Sequence, residues 1–319
     1  MTIPEKNLPP GVYRFTVAAE FAGMRLDQYL AESHEGLSRG FARRLIEIGG
    51  VHQAGRRVRR CSQQVSAGDR IEIYLDGGPV AAMRLDETRI LFRDQDLIVL
   101  DKPSGMATQP TPARYQGTVY AELQRLLQNP QRLGQRPSIG MVQRLDRDTS
   151  GVMVFSIHQR AHKKMTEAFR DRDIDKRYWA LVAGRPQAET GRFASQLARR
   201  RSTNLVVSVE RGGKPAETRY RVLRDLAGAS LVDVHLLTGR SHQIRAHFSE
   251  AGMPLLGDAA YGGPESIAGR AIPRLMLHSR ELTFSHPVSG RRLTFSAPLP
   301  EDFSALLQSL ADGLNGPDE

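Results

Sequence analysis

The chain has 319 residues, 40% of them hydrophobic, enough for a sizeable core, which excludes disorder as a description of the whole chain. Its 45 Lys and Arg outnumber its 35 Asp and Glu, and the resulting formal charge of +10 favours a polyanionic partner, although a merely basic enzyme would carry the same excess. A single cysteine, Cys61, excludes an internal disulfide and a Cys-based zinc site, and suits a reducing cytoplasm. Residues 1–11, with Glu5, Lys6 and two adjacent prolines, do not read as a signal peptide, and no stretch approaches the roughly 20 apolar residues of a membrane span.

An N-terminal arm, 1–20, contains Val12–Val17, whose alternation predicts an exposed strand. A compact unit follows over 21–76. Arg25–Leu30 is helical in pattern, Ser38 is a candidate N-cap for a helix from Arg39 to Ile48, and Gly49-Gly50 a candidate stop. Gly68–Leu75 reads as a hairpin-like end. Residues 77–88 open with Gly77-Gly78-Pro79 and read as a linker. Over 89–311, strands are predicted at 97–100, 151–157, 178–183, 218–223 and 231–237. Helices are predicted at 118–127, 158–170, 242–251 and 304–310. They do not alternate strictly, which predicts a mixed α+β sheet rather than a doubly wound one. Residues 312–319 read as a frayed tail.

Arg39, Arg43, Arg44, Arg56, Arg57, Arg59 and Arg60 crowd one short span. Arginine suits phosphate because its planar fork donates two hydrogen bonds to one group, whereas a solvated charged surface is the plain alternative. The order Arg25-Leu26-Asp27-x-Tyr29-Leu30, then Ser38-Arg39 with its helix, Val51 and Gly68-Asp69 resembles the S4 RNA-binding domain. That resemblance implies that these arginines form a basic face against RNA. The chain departs from it at Gln53-Ala54-Gly55, where the family usually carries Asn-Gly.

The segment Gln143-Arg144-Leu145-Asp146-Arg147-Asp148-Thr149-Ser150-Gly151 sets an acid between two arginines on a loop that leads into an apolar strand. Read alone, it is either a carboxylate kept ionised by cations or an ordinary salt-bridged turn. Arg-Leu-Asp-x-x-Thr-Ser-Gly resembles the hallmark of the RluA-type pseudouridine synthases. Further motifs stand in that family's order: Leu97–Gly105 with its Lys-Pro-x-Gly turn, Lys176–Val182, and Thr238-Gly239-Arg240-Ser241-His242-Gln243-Ile244-Arg245. These are followed by Gly257-Asp258, Tyr261-Gly262 and Leu275-Met276-Leu277-His278. The family commonly has His where Gln143 stands, a departure that bears on fine positioning.

The resemblance implies a small S4-like domain followed by a mixed, largely antiparallel-sheet catalytic domain that isomerises uridine in structured RNA without a cofactor or metal. Asp146 would attack the target nucleoside so that uracil detaches, rotates and rejoins through carbon. Arg245 would pair with Asp146, and Tyr178 would lie against the base. Arg144 would fill the space the flipped base leaves, offsetting an unstacking cost of a few kcal/mol. Leu275 would belong to the apolar wall. The expected partner is large-subunit, 23S-type ribosomal RNA, with transfer RNA as the other substrate, for a cytoplasmic monomer with no membrane association.

Other signals are weaker. His158-x-x-x-His162 has zinc-like spacing, but Gln159 stands where a zinc protease needs Glu. His242 and His247, five apart, read as structural hydrogen-bonding groups, and Ser150 fails the nucleophile-elbow pattern. Gly212-Gly213-Lys214-Pro215 reads as a hairpin turn. Two alternatives have their own signatures. An inactive RNA-binding assembly factor should lack one of Asp146, Tyr178 and Arg245, and all are present. A uracil-releasing glycosidase would need a water-activating group, for which Asp148 is the local candidate.

Overall fold

The computed structural model describes residues 8–132, 134–171 and 173–313; the first residues of the arm and most of the expected tail lie outside these. The chain forms two compact units, one of Met1–Asp86 with Met106–Pro137, the other of Glu87–Gly105 with Ser138–Glu319.

In the first unit, β1 (Gly11–Thr16), β4 (Arg70–Leu75), β2 (Val51–Gln53) and β3 (Arg56–Arg57) make an antiparallel sheet in that order. Two helices, α1 (Leu26–Ser33) and α2 (Arg39–Ile48), supply most of its core. Their apolar residues fall three and four apart, so Leu26, Tyr29 and Leu30 share one face and Phe41, Ala42, Leu45 and Ile46 another. Ser38 caps α2 as expected, its hydroxyl accepting from the Phe41 N–H at 3.2 Å. Gly49 ends the helix at φ 90°, a left-handed conformation that glycine adopts without a Cβ penalty.

Residues 106–137 belong to this unit. They include α3 (Val119–Leu126), capped by Thr118. Buried Arg114 closes bidentately on Asp76, both hydrogen bonds 2.7 Å. Glu122 of α3, also buried, accepts from Arg84 at 3.0 Å and from the Leu85 N–H at 3.2 Å. The stretch from Gly77 to Asp86 therefore has no helix or strand but is pinned at several points by charged hydrogen bonds.

The second unit is built on one large sheet. Its path runs β11 (Val206–Ser208), β10 (Thr190–Arg199), β12 (Lys214–Leu226), β13 (Ala229–Leu236), β9 (Ile174–Ala183), β16 (Leu277–Ser285), β8 (Ser150–Ser156), β6 (Leu97–Lys102) and β5 (Ile90–Arg93). Short β7 (Gly140–Met141) pairs with β8, and β17 (Arg292–Ser296) pairs with β16. Only β8 and β16 run parallel among the described pairs, so the sheet is mixed and largely antiparallel. Strands β6 and β8 are buried along their whole lengths, which is why they read as continuous apolar runs. The helices are α4 (Gln159–Asp171), α5 (Gln243–Glu250) and α6 (Glu301–Asp312), and β14 (Ser266–Ile267) pairs with β15 (Arg270–Ala271) in a separate small hairpin. No helix among the described residues is long and apolar enough to cross a membrane.

Strands β10, β16 and β17 were not anticipated. In β10 the sequence TGRFASQLAR is exposed or half-exposed nearly throughout, so no clean alternation marks it; pairing with β12 over eight residues makes it a strand.

Candidate active site

The loop between β7 and β8 carries Asp146, and three features hold it. Fully buried Lys102, at the end of β6, donates from Nζ to the carbonyls of Pro103 (2.9 Å) and Arg147 (2.8 Å). Burial pushes its pKa down to about 7, against the pull of Asp148 and Asp146. Ser104 donates to the Asp148 carbonyl at 2.8 Å. Gly151 closes the loop at φ 110°, where a Cβ would stand 2.1 Å from the Ser279 carbonyl oxygen, so no other residue fits. The Lys-Pro-x-Gly turn and the Thr-Ser-Gly end thus fasten the loop just after Asp146.

Three expected residues converge here. Arg245, on α5, donates from Nη1 to Asp146 Oδ2 at 3.0 Å. Tyr178 sits on β9 with β13 and β16 as neighbours, its side chain almost wholly buried. Burial raises its hydroxyl to about 12; the Asp146 charge adds to this and a hydrogen bond with Ser279 opposes it, so it stays protonated at neutral pH. A cavity of about 500 Å³ opens onto Asp146 and Tyr178, lined among others by Gln143, Arg144, Lys176 and Arg240. A smaller recess beneath it is lined by Asp146, Tyr178, Arg245 and the apolar Leu145, Leu236, Ile244 and Leu277. Arg144 is exposed at the edge of both.

The wall position expected of Leu275 is taken by Leu277. Leu275 is buried but precedes β16, and a tight turn in which the Leu277 N–H donates to the Leu275 carbonyl (3.0 Å) separates the two. The Leu-Met-Leu pattern cannot distinguish them, because both leucines have the same parity.

Asp258 was the residue missed. Buried after the Gly257 turn, it receives Nε and Nη2 of Arg245, both at 2.7 Å. Burial would weaken the Arg245 charge, but the Asp258 and Asp146 carboxylates outweigh it and hold the guanidinium firmly protonated. The Tyr261 ring lies beneath this guanidinium at 4.7 Å. Its signal in the sequence is the Gly257-Asp258 pair, an acid directly after a glycine turn.

Gln243 organises the preceding loop. Its amide nitrogen donates to the Glu217 carbonyl and Thr218 Oγ1, both 2.9 Å, while Oε1 accepts from Thr238 Oγ1 (2.7 Å) and the Arg240 N–H (3.0 Å). His247 is a structural hydrogen-bonding group, bridging Thr218 (2.9 Å) and Ser195 (3.0 Å). His242 instead lines the cavity, with Nδ1 2.9 Å from the Tyr261 hydroxyl. His162 meets Ser156 at 3.1 Å, and Asp148 lies in a half-buried ion pair with Arg147.

In the first unit the seven arginines divide. Arg39 meets buried Asp27 at 3.2 Å, and together with Arg25 it overcomes the effect of burial and keeps that carboxyl below its usual range. Arg57 is half-buried, donates to the Thr111 carbonyl and lies over the Tyr115 ring at 5.6 Å. Arg44, also half-buried, lies over Phe41 at 5.9 Å. Arg43, Arg56, Arg59 and Arg60 are exposed.

Residues 96–250 match the RNA pseudouridylate synthase family, and residues 24–71 match the S4 domain. The chain is 36% identical over 294 residues to a protein of Mycobacterium tuberculosis named an uncharacterized RNA pseudouridine synthase, covering 91% of this chain and 95% of the relative. It is 35% identical to the ribosomal large subunit pseudouridine synthase D of Nitrosomonas europaea, covering 92% of this chain and 87% of that one. Among solved structures, Human RNA Pseudouridylate Synthase Domain Containing 4 superposes with a TM-score of 0.59 at 26% identity, over 70% of this chain and 93% of its own. Matching motifs, fold and relatives of this extent agree: the chain belongs to the RluA-type RNA pseudouridine synthases, isomerases acting on RNA, and carries an S4 domain ahead of its catalytic sheet.

Proposed function

We propose that this protein isomerises uridines of large-subunit ribosomal RNA, in the cytoplasm and as a monomer, with Asp146 as the reacting carboxylate. The observation that carries the reading is the approach of Arg245 to Asp146 at 3.0 Å in a recess that also holds Tyr178. An ionised carboxylate backed by a fixed guanidinium can react at the ribose and break the bond from C1′ to N1. The uracil turns, C5 bonds to C1′ as the carboxylate leaves the ribose, C5 releases its proton and N1 takes one, so that Asp146 is returned ionised. Substrate and product are isomers, so the stoichiometry requires no co-substrate. Tyr178 would pack against the base, its protonated hydroxyl available as a donor. Exposed Arg144 would occupy the gap in the stack. Support for the ribosomal substrate comes from relatives named for the large subunit and from the exposed arginines of the S4 unit.

The test pairs tritium release from RNA carrying 5-tritiated uridine with a binding titration. Asp146→Asn is expected to leave less than about a hundredth of wild-type turnover, with RNA affinity within about threefold, since the amide keeps the shape and loses the nucleophile. Turnover above that level overturns the role of Asp146. Comparing pseudouridine maps of total RNA with and without the gene tests the ribosomal substrate.

A further inference from the structure

His242 lines both the cavity and the recess, yet the mechanism above makes no use of it. Its backbone is left-handed, at φ 52° and ψ 20°, a conformation uncommon outside glycine and asparagine. It occupies the N-cap position of α5, but its side chain caps nothing. A residue chosen to end the loop would be glycine, and one chosen to cap the helix would be serine or aspartate. The imidazole instead spans the site. Nδ1 lies 2.9 Å from the Tyr261 hydroxyl, and Nε2 lies 3.9 Å from Asp146 Oδ2, the same oxygen that Arg245 engages.

The hydroxyl of Tyr261 decides the tautomer. It accepts from the Val206 N–H at 2.8 Å and has one proton to give, for which the Val206 carbonyl stands at 3.2 Å and His242 Nδ1 at 2.9 Å. With that proton given to the shorter contact, Nδ1, the imidazole carries its own proton on Nε2, facing Asp146. We propose that His242 is a positioning residue for the reacting carboxylate: its neutral ring, oriented by Tyr261, presents Nε2–H to Oδ2 of Asp146 and leaves Oδ1 to react.

The present separation exceeds a hydrogen bond, and such contacts commonly tighten once substrate is bound. No hydrogen bond to Oδ1 forms among the described residues, so both partners converge on one oxygen. A neutral donor suits this role. A second full cation beside Arg245 would hold the carboxylate more tightly and make it less reactive. Burial keeps His242 below its usual titration range, Arg245 and Arg199 add to this, and Asp146 and Asp258 oppose it, so the ring is neutral at pH 7. Tyr261 and Tyr178, the phenols of the same site, are protonated there, and Arg144, Lys176 and Arg240 also line the cavity. Acid would turn His242 into the second cation.

This proposal rests on Asp146 being the reacting carboxylate, which the Asp146→Asn measurement tests separately. The experiment compares full-length wild type with His242→Asn in single-turnover tritium release across pH, with RNA affinity and melting measured alongside. Asparagine tolerates positive φ, and its amide reaches the place of Nδ1 but not of Nε2. The expected result is a rate at least about tenfold slower at pH 7.5, RNA affinity within about twofold, and loss of the acid limb expected of wild type below the usual imidazole range. A rate within about twofold of wild type, or a slower one with the acid limb intact, overturns the proposal. Should asparagine also lower the melting temperature, Tyr261→Phe decides, because it leaves the imidazole and removes its orienting hydroxyl. A slower rate with wild-type melting then supports the proposal, and a wild-type rate overturns it.

Discussion

Asp258 grips Arg245 through two parallel 2.7 Å hydrogen bonds, so that Nη1, 3.0 Å from Asp146 Oδ2, is the guanidinium nitrogen turned to that second carboxylate. The planar fork converts one well-held carboxylate into a directed donor for another. Asp258→Asn keeps one acceptor and loses the second along with the charge. Turnover should fall about ten- to a hundredfold, with RNA affinity little changed. Asp258→Ala leaves the buried guanidinium without its main partner and should cost about 3–5 kcal/mol of stability, read from denaturant unfolding. Wild-type turnover in both variants would remove Asp258 from the site.

Tyr178→Phe and Tyr178→Ala should differ in kind. Phenylalanine keeps the ring, and base–aromatic stacking contributes about 1–3 kcal/mol by alanine substitution, so only Ala should weaken RNA binding on that account. Phe should bind normally and turn over slowly, since it lacks the protonated hydroxyl, which burial keeps from ionising. Single-turnover rates with matched binding titrations separate the two. Wild-type behaviour of both variants would take Tyr178 out of the pocket.

The buried His278 gives a pH dependence of stability. It lies on β16 beside Ser150, whose hydroxyl meets Nδ1 at 2.9 Å, and burial lowers its pKa to about 4. The unfolded chain binds this proton from about pH 6.5 downward and the folded chain only near 4, so stability is present above pH 6.5 and lost as the pH falls through that window. The full difference is about 3 kcal/mol at roughly 1.4 kcal/mol per unit. Unfolding free energies of wild type and His278→Asn, taken from pH 7 to 4, should converge as the pH falls, because only wild type carries this term. Parallel curves would show that His278 titrates normally.

Replacing Arg43, Arg56, Arg59 and Arg60 together with alanine should weaken RNA binding and flatten the slope of log affinity against log salt by about 0.9 per lost duplex phosphate contact. Binding to a natural ribosomal RNA fragment over a salt series measures this. An unchanged slope would mean that these exposed side chains do not meet phosphate. Substitution is the cleaner experiment here than removing residues 1–84, because that cut would take Asp76 and Arg84 away from the buried Arg114 and Glu122.

Much of this protein was determined by local sequence. The N-cap at Ser38, the stop at Gly49 and the buried runs of β6 and β8 follow from propensities and periodicities that act over a few residues. The motif carrying Asp146 was equally legible, because ordered motifs survive without knowledge of the fold. What only the tertiary structure decided depends on residues distant in the chain meeting at short range. Asp146 and Arg245 are 99 positions apart, and no local rule places them at 3.0 Å. Parity alone could not choose Leu277 over Leu275; the turn ahead of β16 did. Exposed, arginine-bearing β10 became a strand through its pairing with β12, whose hydrogen bonds its own pattern does not advertise. The same holds for Arg39, expected to face phosphate, whose Nε the fold also brings to a buried carboxylate. A guanidinium takes whichever anion the chain delivers, and delivery is a property of the fold.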